Sequence, residues 1–240
     1  MNPVLRADVR YRLGSPKALV LHTIFLIVVA LLTFLSLPPE LGRLDELRQE
    51  GLLLAFLVVS TVLTMYFTSA CACGEIGIEG EKSVWDLAAS TFPAGTIAAG
   101  KVLSSASFAM LQWALAGPFI AVVAGIRGEP LAVFLRAALV GIPAATAIGA
   151  AGTLYSAEFE SDFARSFAHW ATLLAVVVGA NALPAPWHAL SPVRALAVVV
   201  REGARPVVWL VASAYAIAAI VCVGLVRRRV ERMRLEARTP

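Results

Sequence analysis

The sequence predicts an all-α membrane protein that crosses a bilayer six times. Hydrophobic residues make up 59% of its 240 residues and charged residues only 15%, whereas soluble domains usually contain about 25% charged residues. The apolar residues form six runs, each close to the length of about 20 residues with which a helix crosses a hydrocarbon core. Because a helix satisfies its own backbone groups inside lipid, each run predicts one span. The spans are predicted at residues 18–37, 52–72, 102–126, 131–155, 167–183 and 207–226, within a single transmembrane domain of residues 1–240.

Residues 1–16 are predicted to form a short helix that lies in the headgroup plane before the first span. Its apolar side chains fall near one face and its charged side chains lie elsewhere. The apolar residues are Val4, Leu5, Val9 and Leu13, and the charged residues are Arg6, Asp8 and Arg10. A simpler alternative is a positively charged flank that only orients the first span. That span is longer than the apolar part of a signal peptide, so we expect it to be retained.

Three threonines follow helical spacing in the second span. Thr61, Thr64 and Thr68 stand at positions i, i+3 and i+7, and they therefore share one face of the helix. Their hydroxyl groups could line a transport path or a subunit interface. The alternative is that each hydroxyl bonds the backbone of its own helix.

The segment between the second and third spans is rich in charge. Its acidic residues before Pro93 are Glu75, Glu79, Glu81 and Asp86. Four less polar residues share one helical face in this segment; they are Val84, Leu87, Ala88 and Thr91. This spacing predicts a short cytoplasmic helix that presents Trp85 and Asp86 and ends at Pro93. Such a helix could dock into a groove of a partner, and the alternative is a solvated connector.

The residues before the third span contain a pattern that resembles a phosphate-binding loop. Gly95 to Lys101 fits G-x-x-x-x-G-K, but Val102 stands where a hydroxyl would hold magnesium. A segment that contains Pro93 also stands where such a loop needs a buried strand. We therefore expect no nucleotide site here and interpret Lys101 as the inner boundary of the third span.

Small residues recur at every fourth position in the fourth span. These residues are Gly141, Ala145 and Gly149. Small residues allow membrane helices to approach one another closely. The spacing therefore predicts a close helix contact along this face.

The distribution of lysine and arginine predicts a location in the cytoplasmic membrane with both termini inside. In this orientation 13 of the 20 Lys and Arg residues lie on the inner side, where such residues collect. Residues 227–240 form a basic cytoplasmic tail in this reading. Residues 184–205 lie outside although they contain three arginines, and their apolar stretch is too short to cross, so we expect a re-entrant or surface helix. The net charge of +4 thus reflects topology and contact with membrane lipids, and no nucleic-acid partner is predicted.

The cysteine and histidine residues show no pattern of a metal or catalytic site. Cys71, Cys73 and Cys222 lie in or at the ends of spans and lack the usual spacing of metal ligands. The three histidines have no carboxylate or cysteine within one helical turn in the sequence. We therefore predict no metal site, no catalytic residue and no cofactor bound by this chain.

The charged segment also matches a known motif. It reads Glu81-Lys82-Ser83-Val84-Trp85-Asp86-Leu87-Ala88-Ala89-Ser90-Thr91-Phe92-Pro93 and is followed by Gly100-Lys101. This run resembles the pattern of type-2 ABC exporter permeases, which reads roughly E-R-G-T-x-[DE]-L-L-x-[ST]-x-P and then G-K. The opening Asn2-Pro3-Val4-Leu5-Arg6 is similar to the N-terminal helix of that family, and Leu190-Ser191-Pro192 is similar to its motif before the last span.

The resemblance implies a six-span subunit that pairs with a second permease subunit, either a copy of itself or a relative. Separate cytosolic ATPase subunits, which would carry ATP and magnesium, would grip the helix between the second and third spans and drive export. This chain would then be a transport subunit rather than an enzyme. The implied docking residues are Glu79, Glu81, Lys82, Trp85, Asp86, Leu87 and Pro93.

Two other functions share parts of this pattern. A membrane scaffold or anchor that transports nothing would have the same topology. An intramembrane enzyme would need paired carboxylates or a Ser and His cluster within a span, and the sequence shows neither pattern. The spans contain few polar residues, which favours a hydrophobic or amphipathic cargo over a highly charged one.

Overall fold

A computed structural model describes residues 2–36, 50–74, 84–126, 130–185, 187–202 and 206–237. These residues form helices and turns with no strand. The helices are α1 (Pro3–Gly14), α2 (Pro16–Ser36), α3 (Glu50–Cys73), α4 (Val84–Ala88), α5 (Ala94–Ile126), α6 (Pro130–Glu158), α7 (Asp162–Leu174), α8 (Ala180–Ala182), α9 (Pro192–Glu202) and α10 (Pro206–Glu236). A π-helical turn at Ala175–Gly179 joins α7 to α8, and a 3₁₀ helix at Trp187–Leu190 precedes α9. The prediction of an all-α protein is confirmed.

Within the described residues, six helical segments are long and apolar enough to cross a membrane. They are Pro16–Leu35, Gly51–Cys73, Ala94–Gly125, Leu131–Glu158, Asp162–Ala182 and Pro206–Glu236. Each one contains most of a predicted span, so the six-span prediction is confirmed. The fifth combines α7, the π-helical turn and α8.

Two helices extend well beyond the apolar runs from which they were predicted. α5 begins at Ala94 rather than at residue 102, and α10 continues to Glu236 rather than ending near residue 226. The added part of α10 contains arginine, glutamate, methionine and leucine, which favour helix. Its apolar residues also recur at helical spacing, because Val226, Val230 and Met233 are buried along one side. The charged residues therefore end the apolar run without ending the helix.

α6 lies at the centre of the bundle, where it packs against α3, α5 and α10. The outer helices are much less buried within the protein. In an apolar stretch of 18 residues from each span, 11% of the residues are buried in the fifth span and 17% in the sixth. The corresponding fraction is 44% in the spans formed by α5 and α6. The outward apolar side chains of α7 and α10 include Phe163, Phe167, Trp209 and Ile220, and they suit contact with lipid.

Residues 192–202, which lie in the segment predicted to be re-entrant or on the surface, form the amphipathic helix α9. Ala195, Leu196 and Val199 are buried in the main hydrophobic core, whereas Arg194 and Arg201 are exposed. α9 packs against α6, α3 and α10. It is therefore a surface helix seated on the bundle by its apolar face.

α1, α4, the first turns of α5 and the last turns of α6 and α10 meet at one end of the bundle. They share a separate apolar cluster formed by Val4, Val84, Leu87, Ala88, Ala94, Ile97, Ala98, Ala157, Val226, Val230 and Met233. We refer to this part of the protein as the α4 end. It contains most of the described residues that the sequence assigns to partner docking.

Candidate functional site

α4 is a helix of five residues whose apolar side faces the bundle. Val84, Leu87 and Ala88 are buried, Trp85 is half-buried and Asp86 is exposed. The buried residues belong to the face that helical spacing predicted. The exposed Asp86 and the accessible part of Trp85 form the outer surface of α4.

The predicted end of this helix is wrong, because α4 ends at Ala88 and not at Pro93. The Ser90 backbone N–H and hydroxyl both donate to the Leu87 carbonyl, at 3.0 and 2.6 Å, and this turn closes the helix. Thr91, which was predicted to lie on the buried face, is consequently exposed. Pro93 instead precedes α5, where its carbonyl accepts from the backbone N–H groups of Thr96 and Ile97.

The C-terminal part of α10 holds the end of α4 through Arg234. The Arg234 Nε atom donates to the Ala88 carbonyl at 2.9 Å. Its Nη2 atom donates to the carbonyls of Ser90 at 2.9 Å and Phe92 at 2.5 Å. A cation thus binds the last carbonyl of the short helix and two carbonyls of the turn that follows it.

Arg229 joins α4 to the last turn of α6. Its guanidinium carbon lies 5.6 Å from the centre of the Trp85 ring, within the range of a cation–π interaction. Its Nε atom donates to the Ala157 carbonyl at 3.3 Å and lies 3.5 Å from a carboxylate oxygen of Glu158. Its Nη1 atom lies 3.7 Å from a carboxylate oxygen of Glu236. One side chain therefore contacts both α4 and α6.

An open groove of about 860 Å³ lies between α4 and the end of α10. Trp85 and Arg234 are among its lining residues, together with Ala88, Ala89, Ser90, Thr91, Met233, Glu236 and Ala237. The groove combines an aromatic side chain, small residues and both signs of charge. It therefore offers apolar and polar contacts on one accessible surface.

α1 packs closely against the base of α5. The Asn2 side chain caps α1 by accepting from the Val4 N–H at 2.9 Å, and its amide donates to the Thr96 carbonyl at 2.7 Å. A Cβ atom on Gly100 would lie 2.8 Å from the Val4 Cβ atom, so glycine allows this approach. The predicted apolar face of α1 is only partly right, because Asp8 is buried with Val4.

Lys101 forms a buried ion pair with Asp8. The Nζ atom lies 3.1 Å from one carboxylate oxygen, and the exposed fractions of the two side chains are 7% and 6%. Gly100 and Lys101 complete the pattern that resembles a phosphate-binding loop. In this fold both residues contact α1. Gly100 allows its backbone to approach Val4, and Lys101 pairs with Asp8.

The three predicted threonines of α3 are buried inside the bundle. The Thr61 hydroxyl donates to the Leu57 carbonyl and the Thr64 hydroxyl to the Ser60 carbonyl, each at 2.7 Å. Among the described residues, the Thr68 hydroxyl has no hydrogen-bond partner. In this conformation these side chains contact protein rather than an open path.

The small residues of α6 lie against bulkier side chains of α3 and α5. A Cβ atom on Gly141 would lie 2.2 Å from the Trp113 indole. A Cβ atom on Gly149 would lie 2.7 Å from the Thr68 methyl carbon and 2.8 Å from the Ser105 Cβ atom. Ala145 is fully buried. α6 therefore approaches its neighbours closely along this face.

Several contacts were missed because they join residues far apart in sequence. Arg229 and Arg234 looked like tail charges, and their contacts with α4 span more than a hundred residues. His169 has no carboxylate or cysteine within one helical turn in the sequence, and the contact of its Nδ1 atom with the Ser69 hydroxyl oxygen of α3, at 2.9 Å, was not predicted. Within the part of the chain that the structure describes, no three His, Cys, Asp or Glu side chains form a candidate metal site.

The predicted docking residues Glu79, Glu81 and Lys82 lie outside the described residues. The structure brings Trp85, Asp86 and Leu87 together on α4, at the start of the connection to α5. Because Arg234 and Arg229 also bind this segment, a displacement of α4 can reach α5, α6 and α10 directly. No family model, curated protein or solved structure matches the chain.

Proposed function

We propose that this chain is the membrane permease subunit of an ABC exporter, located in the cytoplasmic membrane with both termini in the cytoplasm. Two permease subunits form the translocation path as a dimer, and separate cytosolic ATPase subunits drive it. ATP and magnesium bind to the ATPase, so this chain is a transport subunit and not an enzyme. The second permease subunit is a copy of this chain or a relative.

The observation that carries this proposal is the attachment of α4. A short helix with an exposed acidic residue and an accessible tryptophan lies between two spans. Its other side is packed into the apolar cluster of the α4 end. A helix that is accessible on one side and fixed to several spans on the other suits the transfer of a partner's movement into the membrane.

The same surface supports a division of roles among the docking residues. Asp86 offers a charge to the ATPase and Trp85 an aromatic edge, while Leu87 anchors α4 to the bundle. When the ATPase closes on ATP, it displaces α4, and the covalent connection through Pro93 passes this displacement to α5. The outward apolar faces of α2, α7 and α10 meet lipid or the second subunit. The cargo is hydrophobic or amphipathic in this proposal, because few charges occur within the spans.

The first test is to co-express the chain with a candidate ATPase encoded nearby, purify the complex in detergent, and measure ATP hydrolysis. We expect the ATPase to copurify with the intact chain. The double variant Trp85→Ala/Asp86→Ala is expected to lose the effect of the permease on ATP hydrolysis. The matched control is Trp187→Ala/Glu160→Ala, which changes an exposed tryptophan and an exposed acidic residue that are not part of α4.

Equal behaviour of the two double variants would contradict docking through α4. If no ATPase associates with the intact chain, the permease proposal fails, and the scaffold and the intramembrane enzyme become the functions to test. Size-exclusion profiles of both variants show whether the bundle is intact, since Trp85 is half-buried.

A further inference from the structure

We infer that the C-terminal part of α10, residues 226–236, holds α4 in the orientation that its partner binds, and that Arg234 is the positioning residue. This inference rests on the proposed function, in which α4 docks the ATPase. It adds a segment that is far from α4 in sequence to the residues on which docking of the ATPase depends.

The five residues of α4 are too few to form a stable helix by themselves. Isolated helices shorter than about 12 residues are marginal in water, and α4 has five residues. Its last carbonyls need donors. Helices often solve this problem with a glycine just beyond their end, but residues 89–92 contain no glycine. Ser90 donates to the Leu87 carbonyl, and the Arg234 guanidinium binds the Ala88 carbonyl at the end of α4 and the carbonyls of Ser90 and Phe92 in the turn that follows.

The second step is that this part of α10 is itself fixed in place. Val226, Val230 and Met233 are buried along one side of the helix, and they share a cluster with Val84 and Leu87 of α4. The arginines on the outer side, Arg227, Arg228 and Arg232, are exposed. The part of α10 that extends beyond the apolar span is therefore packed against α4 and held in one position relative to it.

The third step is that the same segment connects α4 to the centre of the bundle. Arg229 contacts the Trp85 ring and also the Ala157 carbonyl and Glu158 of α6. A displacement of α4 therefore reaches α6 through α10, independently of the covalent connection through α5. Loss of Arg234 would leave α4 attached to α5 and packed by its apolar side, but without the hydrogen bonds that hold its C-terminal end.

The experiment compares Arg234→Gln and Arg234→Lys with the control Arg232→Gln in the full chain. Arg232 lies one half-turn away on the same helix, and it is exposed. Hydrogen exchange of residues 84–92 in the purified permease alone measures whether α4 is held. Titration with the ATPase then gives the half-saturating concentration and the maximal effect on ATP hydrolysis.

We expect Arg234→Gln to raise amide exchange in residues 84–92 by about tenfold or more, because charge-assisted hydrogen bonds are lost. The half-saturating ATPase concentration should rise by about tenfold, since the competent orientation becomes a minor population. The maximal effect should be retained at saturation, whereas a partly unfolded preparation would lower the maximum. Arg234→Lys keeps a donor cation and should restore part of the affinity, because one ammonium group cannot reproduce the contacts of both guanidinium nitrogens. Arg232→Gln should match the unchanged chain.

Unchanged exchange in Arg234→Gln would overturn the inference whether or not an ATPase binds. Increased exchange with an unchanged half-saturating concentration would overturn the positioning role, because the partner would then not depend on the orientation of α4. If the unchanged chain binds no ATPase, the proposed function fails and the positioning role fails with it. In that case the exchange result alone decides whether Arg234 holds α4.

Discussion

Gly141 shows how closely α6 approaches its neighbours at the level of a single residue. The nearest atoms to an added Cβ belong to the rigid indole of Trp113 and lie 2.2 to 2.7 Å away. A rigid ring cannot give way as the end of a flexible side chain does, so the helices themselves must move. This makes Gly141 a sensitive probe of the packing between α5 and α6.

We predict that Gly141→Ala lowers the free energy of unfolding by about 1 to 3 kcal/mol, the usual cost of overpacking. The control is Gly125→Ala in α5, where no described atom beyond the neighbouring residues and the backbone of the helix itself lies within 4 Å of the added Cβ and alanine favours helix. Thermal unfolding in detergent measures both variants. Equal stability of the two variants would show that α5 and α6 are packed less closely than the structure indicates.

The small residues of α6 also show which contacts the sequence predicts and which it does not. The four-residue spacing of Gly141, Ala145 and Gly149 predicts a close contact because spacing is a local property. It does not identify Trp113 or Thr68 as the residues in contact. Gly152 was missed, although a Cβ there would lie 2.8 Å from the Ser69 carbonyl oxygen, because it does not continue the four-residue spacing.

At the scale of elements, α1 is attached to α5 by a buried ion pair. Breaking such a pair leaves one charge buried without compensation, whereas replacing both charges by apolar residues of similar volume is often close to neutral. Comparing the single variant with the double variant therefore distinguishes the free-energy cost of leaving one charge unpaired from the net contribution of the ion pair to stability.

We predict that Asp8→Leu destabilises the protein by about 3 to 5 kcal/mol, because the contact between Lys101 and the buried Asp8 carboxylate is lost. The double variant Asp8→Leu/Lys101→Met should recover most of this loss. A double-mutant cycle of unfolding free energies in detergent checks the result. The prediction fails if the double variant is less stable than Asp8→Leu.

Element boundaries were harder to predict than element types. The type of α10 follows from its apolar run, but its true end depends on Val226, Val230 and Met233 packing against α4 and α5. The end of α4 was misplaced because Pro93 is the stronger local signal, while the real end comes from the hydrogen bonds of Ser90. Partners that lie elsewhere in the chain decide both boundaries.

At the scale of the whole molecule, the six spans were predictable because each one is a continuous apolar run whose length can be compared with the thickness of the membrane. The arrangement of the spans was not, since the central position of α6 depends on which small residues meet which side chains. The candidate site was predicted in part. Trp85 and Asp86 were identified from the motif, whereas Arg229 and Arg234 required the fold.

The orientation of the bundle in the membrane gives a prediction for the whole molecule. In a variant without the native cysteines, Arg194→Cys on α9 and Arg232→Cys on α10 provide single thiols at exposed positions. A thiol reagent that does not cross membranes should label the first in intact cells and the second only after permeabilisation. The reverse pattern would mean that α4 faces away from the cytoplasm, and docking to a cytosolic ATPase would then be impossible.

The contact between α1 and α5 also sets an order of events during synthesis. Asp8 and Lys101 are 93 positions apart, so at about 5 to 20 residues per second α1 leaves the ribosome about 5 to 20 s before its partner. In that interval we expect the apolar face of α1 to lie on the membrane surface, as its sequence pattern predicts. We therefore expect the same helix to have two successive environments, lipid headgroups while the chain is incomplete and the base of α5 once the third span has inserted.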